Sequence, residues 1–255
     1  MCIVQRMTKT PKRGKDGPSA GGQRALKVKV RTAKRRKISS TRWLQRQLND
    51  PYVAAAKREG YRSRAAFKLA EIDDQYKLLK PGSVVVDLGA APGGWSQVAA
   101  ERVKSETGGG AVVAMDLTEV DAIPGVDFLH GDFMDPGAPD RLIAALGGRR
   151  ADAVLSDMAA PATGHRRTDH VRIMGLCEAA LEFATDVLAP GGSFLCKVLQ
   201  GGAANELLGT MKQSFRTVRH VKPKASRADS AELYVLATGF RGKTGPADVR
   251  ETAQG

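Results

Sequence analysis

Lys197 is the residue whose place in the sequence most strongly suggests chemistry. It lies between Phe194-Leu195-Cys196 and Val198-Leu199, where the pattern predicts a central β-strand, and a lysine is almost never fully buried without a partner. It could simply extend its amine into water from the end of the strand. Three polar residues on neighbouring predicted elements favour a site instead: Lys68, Asp157 and Glu232. Amines and carboxylates held together can orient and deprotonate a hydroxyl group.

A second stretch that could form part of a functional site is the glycine-rich turn after the first predicted strand. Val84 to Leu88 are nearly all apolar, as expected of a parallel strand covered on both faces. Gly89, Gly93 and Gly94 then allow a ligand close to the backbone, and the next helix can bind an anionic group with its first free N–H groups. The spacing G-A-A-P-G-G departs from the dinucleotide pattern G-x-G-x-x-G, which weakens a dehydrogenase interpretation. An ordinary turn with incidental glycines is the alternative.

Four acidic residues lie where predicted strands end: Asp87, Asp116, Asp132 and Asp157. In doubly wound sheets, ligands bind outside the carboxyl ends of the strands. Asp116 follows the glycine turn by roughly twenty residues, where an acid commonly accepts hydrogen bonds from ribose hydroxyls, although it could simply end a strand. Asp132 could receive an adenine amino group. Because the chain offers carboxylates here and no G-K-[ST] sequence, it favours a positively charged adenosyl ligand over ATP or NADP.

The elements that must position these residues alternate between strands and helices. We predict strands at 84–88, 111–115, 126–129, 151–156, 193–199, 218–221 and 233–238. We predict helices near 95–104, 139–147, 170–189 and 203–214. The link of residues 222–232 is too short for a helical crossover, so the last two strands should be antiparallel. The pattern therefore predicts a doubly wound α/β fold with a seven-stranded, mostly parallel sheet, helices on both faces and a terminal antiparallel hairpin.

Two helical segments precede this sheet. Ser39 to Asp50 forms a short amphipathic segment. Ser63 is a plausible N-cap for a second helix, which carries Lys68 and is expected to run to about Leu79, where Pro81-Gly82 stops it.

Length and charge set the expected domain organisation. The chain of 255 residues suits one α/β domain with appendages. The first 46 residues hold 15 Lys or Arg and one acidic residue, Asp16, whereas the remainder holds 25 basic and 26 acidic residues. We predict a disordered basic arm at 1–38, a single domain at 39–240 and a flexible tail at 241–255. Such an arm would bind a phosphate backbone, or would merely aid solubility.

Other sequence features exclude several classes of protein. Cys2, Cys177 and Cys196 lack C-x-x-C spacing, so we expect neither a disulfide framework nor a zinc site, and a reducing cytoplasm fits best. No apolar run approaches the ~20 residues of a membrane span. The start of the chain lacks the apolar region of a signal peptide, although its Arg-rich composition could mimic an organellar presequence. His165 and His170 flank Asp169 without a further ligand at recognisable spacing, so no metal is expected.

The glycine turn and its surroundings, D-L-G-A-A-P-G-G-W-S-Q at residues 87–97, resemble the signature of the FtsJ/RrmJ family of ribosomal RNA ribose methyltransferases. Four further stretches match in order between Ser39 and Gly239: Y-R-S-R-A-A-F-K-L at 61–69, S-D-M-A at 156–159, L-A-P-G-G-S-F at 188–194 and K-V-L-Q-G at 197–201. The resemblance implies a Rossmann-like, class I methyltransferase fold with S-adenosylmethionine as cofactor. It implies cofactor contacts at Gly93, Trp95, Asp116, Asp132 and Asp157.

One stretch departs from the family pattern. The family commonly reads D-M-A-P-N after the fourth strand, but Asp157-Met158-Ala159-Ala160-Pro161-Ala162 has no Asn after the Pro. This departure leaves the geometry of the substrate loop open and does not affect Asp157.

In the family that this chain resembles, a Lys-Asp-Lys-Glu tetrad performs 2′-O-methylation, and it corresponds to Lys68, Asp157, Lys197 and Glu232. A ribose hydroxyl is a poor nucleophile, whereas a sulfonium methyl group is already activated, so orientation contributes most, about 7–11 kcal/mol. A positioned base adds roughly 10²–10⁴ in rate. We expect Lys197 to orient and deprotonate the hydroxyl, with Asp157 positioning it. Because a lysine in water is protonated at neutral pH, Lys197 could instead orient the hydroxyl without acting as the base.

The resemblance implies 2′-O-methylation of a uridine in 23S ribosomal RNA, within the assembled large ribosomal subunit. We expect a monomeric enzyme without a membrane partner. Ribose methylation of transfer RNA is an alternative that the sequence separates poorly from this one. A ribosome-assembly factor that only binds RNA is a second alternative, disfavoured because a binding protein has no need of a lysine within an apolar strand. A nicotinamide oxidoreductase is disfavoured by the glycine spacing and the antiparallel end of the sheet.

Overall fold

A computed structural model of the chain describes residues 38–161, 163–200 and 204–242. The predicted basic arm, apart from Ile38, and the predicted tail, apart from residues 241–242, lie outside the described residues. The chain divides into two compact units, Met1–Pro51 and Tyr52–Gly255. In the first unit, helix α1 spans Ile38–Leu48, close to the amphipathic segment predicted at 39–50.

The second unit contains the sheet that positions the candidate site. Its strands in the described residues are β1 (Val84–Leu88), β2 (Ala111–Asp116), β3 (Val126–His130), β4 (Ala151–Ser156), β5 (Leu188–Leu199), β6 (Phe215–Val221) and β7 (Glu232–Phe240). The strand order is β3-β2-β1-β4-β5-β7-β6. Neighbouring strands from β3 to β5 are parallel, whereas β7 is antiparallel to both β5 and β6. The predicted mostly parallel sheet with an antiparallel end is therefore confirmed.

Helices precede the sheet and connect its strands. They are α2 (Pro51–Glu59), α3 (Ala65–Tyr76), α4 (Gly94–Val103), α5 (Ala138–Ala145), α6 (Arg166–Val187) and α7 (Ala204–Ser214). Helix α2 was not expected from the sequence, and α6 begins at Arg166 rather than near residue 170. Among the described residues, no helix is both long and apolar enough to cross a membrane.

Both predicted ends of α3 are wrong. Arg64, not Ser63, occupies the N-cap position, and it makes no side-chain capping bond. The helix ends at Tyr76 because Lys77 adopts the left-handed conformation at φ 55° and donates its N–H to the carbonyl of Asp73. The buried carboxylate of Asp73 then accepts the N–H of Leu79 at 2.8 Å. The chain therefore leaves the helix before Pro81-Gly82 is reached.

The two faces of the sheet carry separate apolar clusters, as a sheet covered on both sides requires. Val84, Val86 and Leu88 of β1 pack in the cluster that includes side chains of α5, α6 and α7. Val85 packs in the other cluster, with side chains of α3 and α4. The glycine turn that follows β1 is thus held between two covered faces, and the helices on both faces confirm the predicted layers.

Candidate active site

Three adjacent strands and one helix bring the four predicted catalytic side chains together. Asp157 directly follows β4, Lys197 lies near the end of β5, and Glu232 is the first residue of β7. Because β7 is antiparallel to β5, its start lies beside the end of β5, where Leu199 is paired with Glu232. Lys68 comes from α3, whose apolar residues pack on the face of the sheet that carries Val85. All four side chains therefore meet at the carboxyl ends of the parallel strands.

The four side chains form two ion pairs. The Nζ atom of Lys68 lies 2.7 Å from Oε1 and 2.8 Å from Oε2 of Glu232. The Nζ atom of Lys197 lies 3.1 Å from Oδ1 of Asp157 and also donates to the backbone carbonyl of that residue. The side chains are between 11% and 18% exposed. The site is therefore largely, but not completely, shielded from water.

Tyr234 links the two ion pairs, and sequence reasoning missed it. Its hydroxyl donates to Oδ1 of Asp157 at 2.8 Å and accepts from Nζ of Lys68 at 3.2 Å. Burial, together with the negative charges of Asp157 and Glu232, raises the pKa of Tyr234 well above its usual value, so the hydroxyl keeps its proton. A signal for it was present, because residues two apart on a strand share a face, and Tyr234 follows Glu232 by two. The network is continuous from Lys197 to Glu232.

Glu232 is held in its charged form despite its burial. Burial by itself would raise the pKa of Glu232, but the charge and hydrogen bond of Lys68 outweigh it, and the pKa lies below its usual value. The hydroxyl of Ser226 also contributes, since it donates to Oε1 at 2.9 Å. Lys68 is consequently paired with a full negative charge.

Trp95 and Gly93 lie buried at the start of α4. The side chain of Trp95 is 2% exposed, its Nε1–H donates to the carbonyl of Ala65 at 2.9 Å, and its ring centroid lies 5.6 Å from that of Tyr234. The indole ring therefore packs in the interior. Gly93 has φ 107°, a conformation that favours glycine, and a Cβ there would lie 2.6 Å from Cδ1 of Ile123.

A cleft of about 540 Å³ opens beside the glycine turn. Asp116 and Asp132 line it, together with Gly89 and Met158, whereas Gly93, Trp95 and Asp157 are not among its lining residues. The carboxylate of Asp116 is already oriented, because it accepts the N–H of Ala91 at 2.9 Å and the N–H of Thr118 at 2.7 Å. Oδ1 of Asp132 accepts the N–H of Met134 at 2.8 Å. The cleft thus presents two fixed carboxylates at the ends of neighbouring strands.

The buried acid near the carboxyl end of β1 is Asp87. Its Oδ2 accepts the Ser96 hydroxyl at 2.6 Å, and its Oδ1 has no hydrogen-bond partner among the described residues. Complete burial, with smaller contributions from the negative charges of Asp157 and Asp116, raises the pKa of Asp87 to about 7. The negative charges of Asp157 and Asp116 beside Asp87 make this end of the sheet suited to a cation, and S-adenosylmethionine carries a sulfonium and an ammonium group.

The loop that departs from the family pattern is held by a residue outside that pattern. Asp169, in the first turn of α6, accepts the N–H and the hydroxyl of Thr163 at 2.7 and 2.6 Å and the N–H of Gly164 at 3.3 Å. These bonds lower the pKa of Asp169.

In the described part of the chain, no group of three or more His, Cys, Asp or Glu is arranged to hold a metal ion.

Comparisons with known proteins agree with this fold. A family model described as FtsJ-like methyltransferase matches residues 61–240. A ribosomal RNA large subunit methyltransferase E from Parvibaculum lavamentivorans is 65% identical over 240 residues, covering 91% of this chain and 93% of the relative. A protein of the same name from Xanthobacter autotrophicus is 63% identical over 239 residues, covering 94% and 91%. A crystal structure from Plasmodium falciparum, described as a ribosomal RNA methyltransferase, superposes with a TM-score of 0.64 at 30% identity, covering 72% of this chain and 100% of that one.

Proposed function

The chain belongs to the FtsJ-like methyltransferase family, and on that premise we propose that it methylates the ribose 2′-oxygen of a uridine in 23S ribosomal RNA, with S-adenosylmethionine as methyl donor. The relatives named ribosomal RNA large subunit methyltransferase E support this substrate class. The observation that carries the proposed reaction is the continuous network from Lys197 to Glu232 at the strand ends. Its proposed partner is the assembled large ribosomal subunit, in the cytoplasm.

Residues around the cleft are suited to hold the cofactor. We assign the ribose hydroxyls of the cofactor to Asp116 and its adenine amino group to Asp132, since both carboxylates line the cleft. Asp87 and Asp157 supply the negative charge that its cationic end requires. The free N–H groups at the start of α4, which include that of Trp95, suit its carboxylate. When bound, S-adenosylmethionine supplies a methyl group that is already activated for transfer.

The proposed catalytic role of Lys197 follows from its contacts. Two of the three N–H groups of an ammonium are taken up by the carbonyl and carboxylate oxygens of Asp157, which leaves the third for the ribose oxygen. Asp157 is itself fixed by Tyr234, so Lys197 has little freedom to move. We assign to Lys197 the alignment of the 2′-oxygen through this third N–H group. Because an ammonium has no lone pair, Lys197 accepts the hydroxyl proton as the new carbon–oxygen bond forms only after it has first released that third proton to water.

Labelled methyl transfer tests the proposed function and separates its alternatives. S-adenosylmethionine with a labelled methyl group is offered in parallel to large ribosomal subunits, naked 23S ribosomal RNA and transfer RNA, and the labelled sugar is then mapped. We expect label on one uridine ribose of the subunit. Label in transfer RNA alone would favour the alternative substrate, and RNA binding without label in any sample would favour the assembly factor.

A further inference from the structure

The side chain of Arg62 joins two segments that are distant in sequence. It lies between α2 and α3, and its Nη1 and Nη2 atoms donate to the carbonyls of Asp121 and Ala122 at 2.6 and 2.8 Å. These carbonyls belong to the β2–β3 loop (residues 117–125). The planar guanidinium fork suits such a bidentate contact with adjacent acceptors.

Arg62 is also fixed from its other side, by α4. Its backbone N–H donates to Oε1 of Gln97 at 2.8 Å, and Nε2 of Gln97 donates to the carbonyl of Gly60 at 3.0 Å. The β2–β3 loop packs directly on the glycine turn at the same place. A Cβ at Gly93 would lie 2.6 Å from Cδ1 of Ile123 and 3.1 Å from Cδ of Arg62. Arg62 therefore holds the loop against the turn from a rigid base.

The other end of the β2–β3 loop forms part of the cleft. Leu117 and Thr118 line the cleft, and the N–H of Thr118 donates to Oδ1 of Asp116 at 2.7 Å. A loop released at Asp121 and Ala122 would free this wall and loosen the carboxylate that it orients.

We propose that Arg62 is a positioning residue for the cofactor, because it clamps the β2–β3 loop and so keeps Asp116 and Thr118 in their binding arrangement. The identity of the cofactor rests on the proposed function, but the clamp does not. The competing role, a contact with RNA phosphate, needs only the positive charge of Arg62. The clamp needs the guanidinium fork, so a lysine separates the two roles.

The test compares Arg62→Lys and Arg62→Ala with the wild-type protein. S-adenosylhomocysteine affinity is measured by calorimetry, RNA affinity by filter binding at fixed salt, and amide exchange of the β2–β3 loop by mass spectrometry without ligand. We expect Arg62→Lys to weaken S-adenosylhomocysteine binding by about tenfold, since hydrogen bonds from a charged donor are lost, and to speed exchange in the loop. Its RNA affinity should stay within about twofold, because the charge is kept. Arg62→Ala should weaken S-adenosylhomocysteine binding at least as much.

Arg58→Lys is the matched control, because Arg58 is a nearby arginine on α2 whose side chain is 67% exposed. It should leave ligand binding and loop exchange unchanged. Ile123→Ala, which weakens the packing of the same loop on Gly93 beside the clamp, covers the case in which the Arg62 variants fail to fold, and it should shift both readouts in the same direction.

The outcomes separate the clamp from the proposed function. Unchanged loop exchange in a folded Arg62→Lys or Ile123→Ala variant would overturn the clamp, as would a loss confined to RNA binding. A wild-type protein that does not bind S-adenosylhomocysteine would count against the proposed function, and loop exchange would then still decide the clamp.

Discussion

Tyr234→Phe removes one oxygen atom from the centre of the site and preserves the packing around it. The phenyl ring can keep its contact with Trp95, at a centroid distance of 5.6 Å. What disappears is the hydrogen bond donated to Asp157 and the one accepted from Lys68. The variant therefore tests whether the two ion pairs must be connected for catalysis.

The size of the effect follows from the contacts that remain. A hydrogen bond to a charged group contributes about 1.5–3 kcal/mol, and Asp157 and Lys68 each keep an ion pair with another partner. We therefore expect the transition state to lose the stabilisation of one such bond, about 2 kcal/mol. This loss corresponds to a roughly 30-fold decrease in kcat. The affinity for S-adenosylhomocysteine should stay within about twofold, because Tyr234 does not line the cleft.

Single-turnover methyl transfer at saturating cofactor and RNA measures this decrease directly. Tyr76→Phe is the matched control, because it removes the same hydroxyl group from the last residue of α3, outside the network. Thermal unfolding of both variants checks that the fold is retained. A folded Tyr234→Phe protein with wild-type kcat would refute the connected network, and a loss confined to cofactor affinity would assign Tyr234 to the cleft instead.

Three further predictions address the base, the buried acid and the substrate loop. Lys197→Ala should lower the methyl-transfer rate by roughly 10²–10⁴, with calorimetric affinity for S-adenosylhomocysteine nearly unchanged; loss of both together would contradict the assignment. The pKa of Asp87 is about 7, so S-adenosylmethionine should bind more tightly as pH rises from about 6 to 8, because the ionised acid attracts the cation. The Asp87→Asn variant should lack this pH dependence. Since the unfolded chain releases that proton at lower pH, the contribution of Asp87 to folding stability should fall as pH rises from about 4 to 7, as chemical denaturation can measure. Asp169→Asn should speed amide exchange at Thr163 and lower the methyl-transfer rate several-fold; unchanged exchange would argue against its role in the loop.

The sheet could be predicted because its signals are local. Each parallel strand is a short, nearly continuous apolar run, and the short link before β7 excludes a helical crossover. Helix α2 gives no such signal, since its buried residues are Ala55 and Ala56, which are too small to mark an apolar face. The end of α3 depends on the contact between the Asp73 carboxylate and the N–H of Leu79, which no residue pattern reveals.

The charged members of the candidate site were easier to predict from the sequence than the residues that support them. Lys197 is conspicuous because charge is rare within an apolar strand, whereas tyrosine is common in strands, so only its spacing of two residues from Glu232 indicates Tyr234. The family resemblance implies a cofactor contact at Trp95, and the structure shows that its buried indole donates to the carbonyl of Ala65 on α3 and packs on the ring of Tyr234. A sequence does not show whether a residue makes a contact through its backbone or through its side chain, because every non-proline residue carries the same backbone groups.

The start of α4 ties the proposed cofactor turn to the proposed catalytic network. Ser96 donates to Asp87 in β1, and the preceding residue, Trp95, packs on Tyr234, which in turn holds Asp157. A shift of the glycine turn would therefore displace the network in the same direction. Methyl transfer requires the oxygen, carbon and sulfur atoms in line, and misplacement by about 1 Å can cost 10²-fold in rate. When one support carries both the glycine turn and the network, its thermal movements leave the relative positions of the reacting groups unchanged. Rigid coupling therefore meets the alignment requirement better than two independently placed sites would.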